Sequence, residues 1–254
     1  AQRSVDMAKS LGIVSTKLLA IPSAVLGTNN ATVQDMASVY ATFANQGVYV
    51  PPVLVNRIDR PDGTMLYQHD HTQKKVLEPE VAAQISTILP GVIEGGTGTR
   101  ANIGRPAAGK TGSSQNNVDG WFCGYVPQLA TAVWVGFAQP RAGKDGKLRP
   151  VPMTSPNTRI TVFGGTYPAQ IWASFMSKAV HDLPVEPLVD PLAAAPTTTT
   201  VPPSNEALLS PVTVPRDAKV PDVGGKDTRK AIAAVRSAGV PVASCKSHAD
   251  SCCS

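Results

Sequence analysis

Lys110, Thr111 and Gly112, followed by Ser113 and Ser114, place in five consecutive positions the groups needed to bind an anionic acyl substrate. A lysine ammonium beside hydroxyl donors can hold a carboxylate, and a backbone N–H at a strand edge can stabilise an oxyanion. Glycine at position 112 leaves room for a substrate against the strand. A K-T-G tripeptide is frequent by chance, and a surface lysine beside two strand-edge hydroxyls is the ordinary interpretation. The surrounding sequence must therefore decide between the two.

The flanking pattern predicts a strand unit with the tripeptide in its first strand. Residues 107–114, 120–125 and 129–137 are short, apolar and aromatic-rich, and two polar segments separate them, which favours three antiparallel strands. A glycine-rich loop at 95–98 precedes the first strand.

Helices and one hairpin are predicted around this unit. Thr32 with Asp35 has the spacing of a capping box, so a helix should begin there and stop at Gly47. A second helix should begin at Pro79 and be kinked or ended by Pro90. Residues 53–55 and 64–67 flank a Pro-Asp-Gly turn and predict a hairpin. A last helix should begin at Tyr167, with apolar side chains at Ile171, Trp172, Phe175 and Val180.

Composition excludes several functions. The net charge of +5 comes from scattered basic residues, which predicts a solvated surface and no nucleic-acid partner. Four cysteines and four histidines lack zinc-ligand spacing, so no metal site is expected. No apolar stretch of about 18 residues is present, so no membrane span is predicted. Residues 4–11 have the pattern of a helix tail, and we interpret the chain as a fragment.

Residues 96–101 also fit the G-x-G-x-x-A form of a dinucleotide loop. They follow a predicted helix and precede a strand, which is the reverse of what that loop requires. Thr97 and Thr99 are instead candidates for the rim of a substrate cleft, with ordinary turn chemistry as the alternative. Cys123 is expected to be an inert buried side chain.

Three ordered segments carry a family resemblance: GGTGTRA at 95–101, AGKTGSS at 108–114 and DGWFCGY at 119–125. They look like class A (bifunctional) penicillin-binding proteins, and MASVYATFAN at 36–45 with GVYVPP at 47–52 resembles the same family. The resemblance covers roughly residues 1–183. It implies an α+β fold, an antiparallel sheet covered by helices, in a D,D-transpeptidase that cross-links peptidoglycan stem peptides and binds β-lactams.

The resemblance also implies roles for individual residues. Lys110 would shape the electrostatics of the site, and Thr111 and Ser113 would offer hydroxyls to the carboxylate of a substrate or β-lactam. The N–H of Ser113 would be one oxyanion donor, with Gly112, Thr97 and Thr99 near the substrate. No metal or organic cofactor is implied, and other cell-wall synthesis proteins are compatible partners.

The family's nucleophile is the main departure. No S-x-x-K occurs in the chain, and Ser155-Pro156-Asn157 matches S-x-N only by letter because it follows K-T-G. The serine is therefore expected upstream, as are an N-terminal membrane anchor and a glycosyltransferase domain. The full protein would work outside the cytoplasmic membrane.

The C-terminal third predicts a linker and a small module. Residues 184–219 contain eight prolines and few large apolar groups, which is typical of an extended linker. Residues 220–254 resemble the opening of a PASTA repeat, and Cys245 could pair with Cys252 or Cys253 in an oxidising compartment. This tail argues against a D,D-carboxypeptidase or a class A β-lactamase, since both usually end soon after the helix that follows the K-T-G sheet. A non-catalytic wall-binding protein with a degenerate fold is the remaining alternative.

Overall fold

The computed structural model describes residues 1–190, which divide into two compact units. The described part of one unit is residues 1–52 and 71–190, and that of the other is residues 53–70. The helices are α1 (Gln2–Ser10), α2 (Val33–Ala44), α3 (Pro79–Ile88), α4 (Pro90–Glu94) and α5 (Tyr167–Ala179), with 3₁₀ turns at Pro22–Leu26, Thr99–Ala101 and Gln115–Asn117. The strands are β1 (Val48–Tyr49), β2 (Arg57–Asp59), β3 (Met65–Gln68), β4 (Lys74–Lys75), β5 (Ala108–Ser113), β6 (Asp119–Val126), β7 (Leu129–Gly136), β8 (Arg141–Ala142) and β9 (Leu148–Arg149).

The predicted three-strand unit is confirmed. Strands β5, β6 and β7 form an antiparallel sheet in that order, and their ends lie within one residue of the predicted ones. Thr111 is opposite Phe122 and Ser113 is opposite Gly120, while Trp121 is opposite Trp134. Together with the surrounding helices, this sheet makes the larger unit an α+β fold.

Each face of the sheet carries its own buried cluster. On one face, Phe122 packs on Trp172 of α5, with ring centroids 5.2 Å apart. On the other face, Tyr125 and Cys123 pack with Tyr40 of α2. Residues directly opposite each other on paired strands lie on the same face of a sheet, as do alternate residues along one strand. Thr111, opposite Phe122, therefore lies on the α5 side together with Ser113, and Lys110, opposite Cys123, lies on the α2 side.

The helix boundaries follow the predicted capping and proline signals. The Thr32 hydroxyl accepts a 3.1 Å hydrogen bond from the Asp35 N–H, as the predicted start of α2 requires. The buried Asp35 carboxylate does not return to Thr32 but accepts hydrogen bonds from the backbone N–H and hydroxyl of Ser15, at 3.1 and 2.9 Å. Pro79 begins α3, and Pro90 separates it from α4.

The predicted hairpin exists, but its first strand was misplaced. The strand opposite Met65–Gln68 is Arg57–Asp59 rather than residues 53–55. The turn explains the shift, since Gly63 donates to the Arg60 carbonyl (2.9 Å) and Arg60 donates to the Thr64 carbonyl (2.8 Å). In a hairpin closed by such a tight turn, the paired strands begin immediately on either side of the turn. Residues 53–55 lie too far from the turn to be the partner strand.

The buried face of α5 also differs from the predicted one. Trp172 is fully buried and Val180 nearly so, as expected, but Ile171 and Phe175 are 48% and 51% exposed. The buried stripe instead continues through Ala169 and Met176, which share a helix face with Trp172 at spacings of three and four. Two neighbouring apolar stripes run along this helix, and periodicity alone does not say which one faces the sheet.

The first residues of the predicted linker lie against the larger unit. Arg105 donates to the carbonyls of Val180 (2.8 Å) and Pro184, and Gln128 donates to Pro184 (2.9 Å). The rest of the linker, the PASTA-like tail and Cys245, Cys252 and Cys253 lie outside the described residues, so the boundaries 1–183, 184–219 and 220–254 stay predictions. Within residues 1–190, no helix combines the length and hydropathy needed to cross a membrane.

Candidate active site

The K-T-G strand presents one open edge. Strand β5 pairs with β6 on one side and with no other strand among the described residues. Ser114 donates its N–H to the Asp119 carbonyl at the β6 side (3.1 Å), whereas Gly109 donates in the opposite direction to Leu89 (3.5 Å). Because N–H groups alternate along an antiparallel strand, the N–H and C=O groups of Thr111 and Ser113 point to the open edge.

The Lys110 ammonium reaches this same edge. Its side chain is exposed, and Nζ donates to the Thr111 carbonyl oxygen at 2.9 Å. The positive charge therefore lies beside the outward-pointing backbone of Thr111, although Lys110 leaves the strand on the α2 face. An ammonium next to unpaired backbone N–H groups is suited to hold an anion and to stabilise a developing oxyanion.

The two hydroxyls of the motif are held on the α5 face. Thr111 and Thr97 are joined by a 2.6 Å hydrogen bond between their hydroxyl oxygens. Ser113 Oγ accepts a 3.0 Å hydrogen bond from the Gly164 N–H, so its own proton remains available to a substrate. The structure thus brings Lys110, Thr111, Gly112, Ser113 and Thr97 together.

Thr99 is not brought to the strand. It begins the 3₁₀ turn Thr99–Ala101, its side chain is exposed, and it makes no side-chain hydrogen bond to any residue in 1–190. Its local structure is that of a turn residue, and its place at the rim of a substrate cleft stays a prediction.

Gly164 and Gly165 are site residues that the sequence reasoning missed. A Cβ at Gly164 would lie 2.7 Å from the Gly112 carbonyl oxygen, and one at Gly165 would collide with the Thr97 carbonyl oxygen. This glycine pair therefore packs directly on the K-T-G strand and on the loop that carries Thr97. The only sequence signal was a Gly-Gly doublet shortly before the helix predicted to begin at Tyr167.

Gly112 also fits closely within the sheet. A Cβ there would stand 3.1 Å from the Cβ of Trp121 on the paired strand, tighter than most real contacts. Trp121 is in turn opposite Trp134, whose indole N–H donates to the Asp119 carboxylate at 2.9 Å. Asp119, the first residue of β6, thus fixes a tryptophan of the next strand.

Cys123 and the S-x-N look-alike contribute no reactive group to this site. Burial raises the pKa of the Cys123 thiol to about 12, so it stays protonated at neutral pH, as expected for an inert buried side chain. Asn157 of the S-x-N look-alike uses its side chain to bind the Pro152 carbonyl and Arg141. No group of three or more His, Cys, Asp or Glu side chains in residues 1–190 could hold a metal ion.

Sequence comparisons match this site to a known family. The penicillin-binding protein transpeptidase domain matches residues 10–150. Penicillin-binding protein 1A of Mycolicibacterium smegmatis is 33% identical over 178 residues, covering 66% of this chain and 21% of that protein. The counterpart in Clostridium acetobutylicum is 32% identical over 169 residues, covering 66% and 18%. The chain thus spans about a fifth of these relatives' length.

Solved structures agree with the sequence match. The penicillin-binding protein PonA1 from Mycobacterium tuberculosis superposes with a TM-score of 0.63 at 28% identity, covering 80% of this chain and 57% of that one. PonA1 in complex with penicillin V superposes with a TM-score of 0.57 at 27% identity, covering 74% and 52%. The α+β fold described above is therefore part of the penicillin-binding transpeptidase fold.

Proposed function

Because the chain belongs to the penicillin-binding protein transpeptidase family, we propose that it is the K-T-G part of a D,D-transpeptidase that cross-links peptidoglycan stem peptides. The observation that carries this proposal is the meeting of the Lys110 ammonium and the outward N–H of Ser113 at one open strand edge. The reaction requires both an anion site and an oxyanion donor, and it requires them side by side.

A donor stem peptide would bind along this edge. Its terminal carboxylate would lie against Lys110 and the hydroxyls of Thr111 and Ser113. Its scissile carbonyl oxygen would then accept the Ser113 N–H, which stabilises the oxyanion formed when a serine attacks. Thr97 would act through Thr111, since the 2.6 Å bond between their hydroxyls fixes the Thr111 rotamer.

The serine of an S-x-x-K sequence would come from upstream of Ala1 in the full protein. Its oxygen would bond to the carbonyl carbon of the penultimate D-alanine, and the lysine of the same motif would take its proton. Collapse of the oxyanion would expel the terminal D-alanine, whose nitrogen receives a proton. The amine of a neighbouring stem would then attack the acyl-enzyme, form the new amide and release the serine.

The finer assignments follow from the resemblance. A β-lactam would occupy the donor position and acylate the same serine; the relative PonA1 has been solved in complex with penicillin V. The full protein would be of class A, extracytoplasmic, and anchored through an N-terminal segment. No cofactor would be required.

The test compares two proteins, the 254-residue chain and a protein extended upstream through the S-x-x-K serine. The extended protein should be labelled stoichiometrically by a fluorescent penicillin, and the chain alone should not. Lys110→Ala in the extended protein should slow acylation by at least ~10²-fold, a typical loss for a group that stabilises transition-state charge.

Lys144→Ala is the matched control, since Lys144 is exposed and lies in the β8–β9 turn. Acylation of Lys110→Ala within about threefold of wild type would remove Lys110 from the site. Stoichiometric labelling of the 254-residue chain would show that it carries its own nucleophile.

A further inference from the structure

A cavity of about 520 Å³ lies just beyond the carboxyl end of the K-T-G strand. It is lined by Gln115 and Asn116, which follow β5, and by Arg141 and Arg149 of the β8–β9 hairpin. Along the chain, the lining of the cavity thus begins two residues after Ser113. Nothing in the acylation chemistry described above uses it.

The two arginines of this cavity differ in their electrostatic state. Arg149 is neutralised by Asp145, with which it makes two hydrogen bonds of 2.9 and 2.6 Å. Arg141 makes no ion pair with any acidic residue in 1–190. Its guanidinium lies 5.2 Å from the centre of the Phe137 ring and donates to Asn157 Oδ1 at 3.1 Å.

The Arg141 guanidinium is thus held in place by its neighbours, but no carboxylate among the described residues neutralises its charge. Stacking on an aromatic ring and one hydrogen bond limit the freedom of the guanidinium and leave several of its N–H groups for a ligand. A planar guanidinium in this state pairs best with a carboxylate, because two parallel N–H donors match its two oxygens.

The direction of the bound donor peptide identifies what would reach this cavity. In the proposed function the terminal carboxylate lies at Lys110 and Thr111, and the scissile carbonyl lies at the Ser113 N–H. The peptide therefore runs antiparallel to β5, and its preceding residues continue past Ser113 towards Gln115 and Asn116. At about 3.4 Å per extended residue, the residue before the two D-alanines would lie level with Gln115 and Asn116, which line the cavity.

We propose that Arg141 binds a side-chain carboxylate on the donor residue that precedes the two terminal D-alanines. Arg141 would then determine donor specificity, favouring an acid over its amide at that position. This inference rests on the proposed function, since the direction of the peptide follows from it.

The experiment uses the upstream-extended protein and two synthetic donor pentapeptides that differ only in an acid or a primary amide on the third side chain. D-alanine release is measured for wild type, Arg141→Ala, Arg141→Lys and the matched control Lys144→Ala. We expect Arg141→Ala to lower kcat/KM for the acid donor by about 10- to 100-fold and for the amide donor by less than about threefold. Arg141→Lys should recover part of the preference for the acid, and Lys144→Ala should behave as wild type.

Penicillin acylation of the same variants tests the proposed function separately from the role of Arg141. A penicillin has no carboxylate that corresponds to the side chain of the third donor residue. Wild-type protein that is not acylated would overturn the proposed function and this inference with it. Normal acylation with an equal loss on both donors, or no acid preference in wild type, would overturn this inference alone. A melting temperature of Arg141→Ala close to wild type checks that the hairpin stays folded.

Discussion

Gly164→Ala tests whether the glycine pair before α5 holds the K-T-G strand. The added Cβ would stand 2.7 Å from the Gly112 carbonyl oxygen and 2.8 Å from its nitrogen, closer than real Cβ contacts come. Both are backbone atoms of a paired strand, so they cannot rotate aside and the loop must retreat instead. Overpacking of this kind costs about 1–3 kcal/mol. At roughly 2–4 °C per kcal/mol for a domain of this size, a cost of about 2 kcal/mol lowers the melting temperature by about 4–8 °C.

The same movement should weaken catalysis. It lengthens the 3.0 Å bond from the Gly164 N–H to Ser113 Oγ, which is worth about 0.5–1.5 kcal/mol, so penicillin acylation should fall by roughly 2- to 10-fold. Differential scanning fluorimetry and stopped-flow acylation of the upstream-extended protein would measure both effects. Gly95→Ala is the matched control, because no atom lies within 4 Å of a Cβ there. Equal melting temperatures and acylation rates for the two variants would refute the packing argument.

Three further outcomes are expected. Thr97→Val should slow penicillin acylation by about two- to tenfold, since it removes the hydroxyl that fixes Thr111; an unchanged rate would separate the loop from the site. Ser86→Ala should lower the free energy of unfolding by about 1–3 kcal/mol, because it leaves the buried Tyr125 hydroxyl without its 2.7 Å partner; a chemical denaturation series with Tyr125→Phe and the double variant should show clear non-additivity. Cys123 should resist iodoacetamide at pH 8 in the native protein and react in denaturant, because burial raises its pKa to about 12 and only the thiolate reacts; peptide mass spectrometry showing rapid native alkylation would contradict this.

Local signals predicted the elements that local chemistry determines. Thr32 and Pro79 begin their helices where capping and proline rules place them, and the three strands have nearly the predicted ends. The errors arose where tertiary packing chooses between locally equal options. Residues 53–55 are as strand-like as Arg57–Asp59, and only the closure of the turn at Arg60 selects the latter.

The site shows the same division. The K-T-G strand could be found from the motif, and Thr97 could be suspected from the glycine-rich loop before it. Gly164, by contrast, lies 51 residues beyond the serine it bonds, and no local pattern connects the two. Thr97 and Thr99 had the same signal in one loop, but only the Thr97 hydroxyl bonds to the strand, and the place of Thr99 near the substrate stays a prediction.

The spacing within the motif follows from the strand geometry itself. Adjacent residues of a strand lie on opposite faces, so Lys110 and Thr111 cannot both project from one face. Their functional groups can meet only at a strand edge, and the 2.9 Å bond from the Lys110 ammonium to the Thr111 carbonyl oxygen shows that the ammonium reaches that edge. If the lysine and the threonine were two residues apart, both side chains would lie on the same face of the sheet. They would then occupy space that is filled by the helix packed on that face. A lysine directly followed by a threonine on an edge strand is therefore an arrangement that surrounds a ligand docked at that edge from both sides.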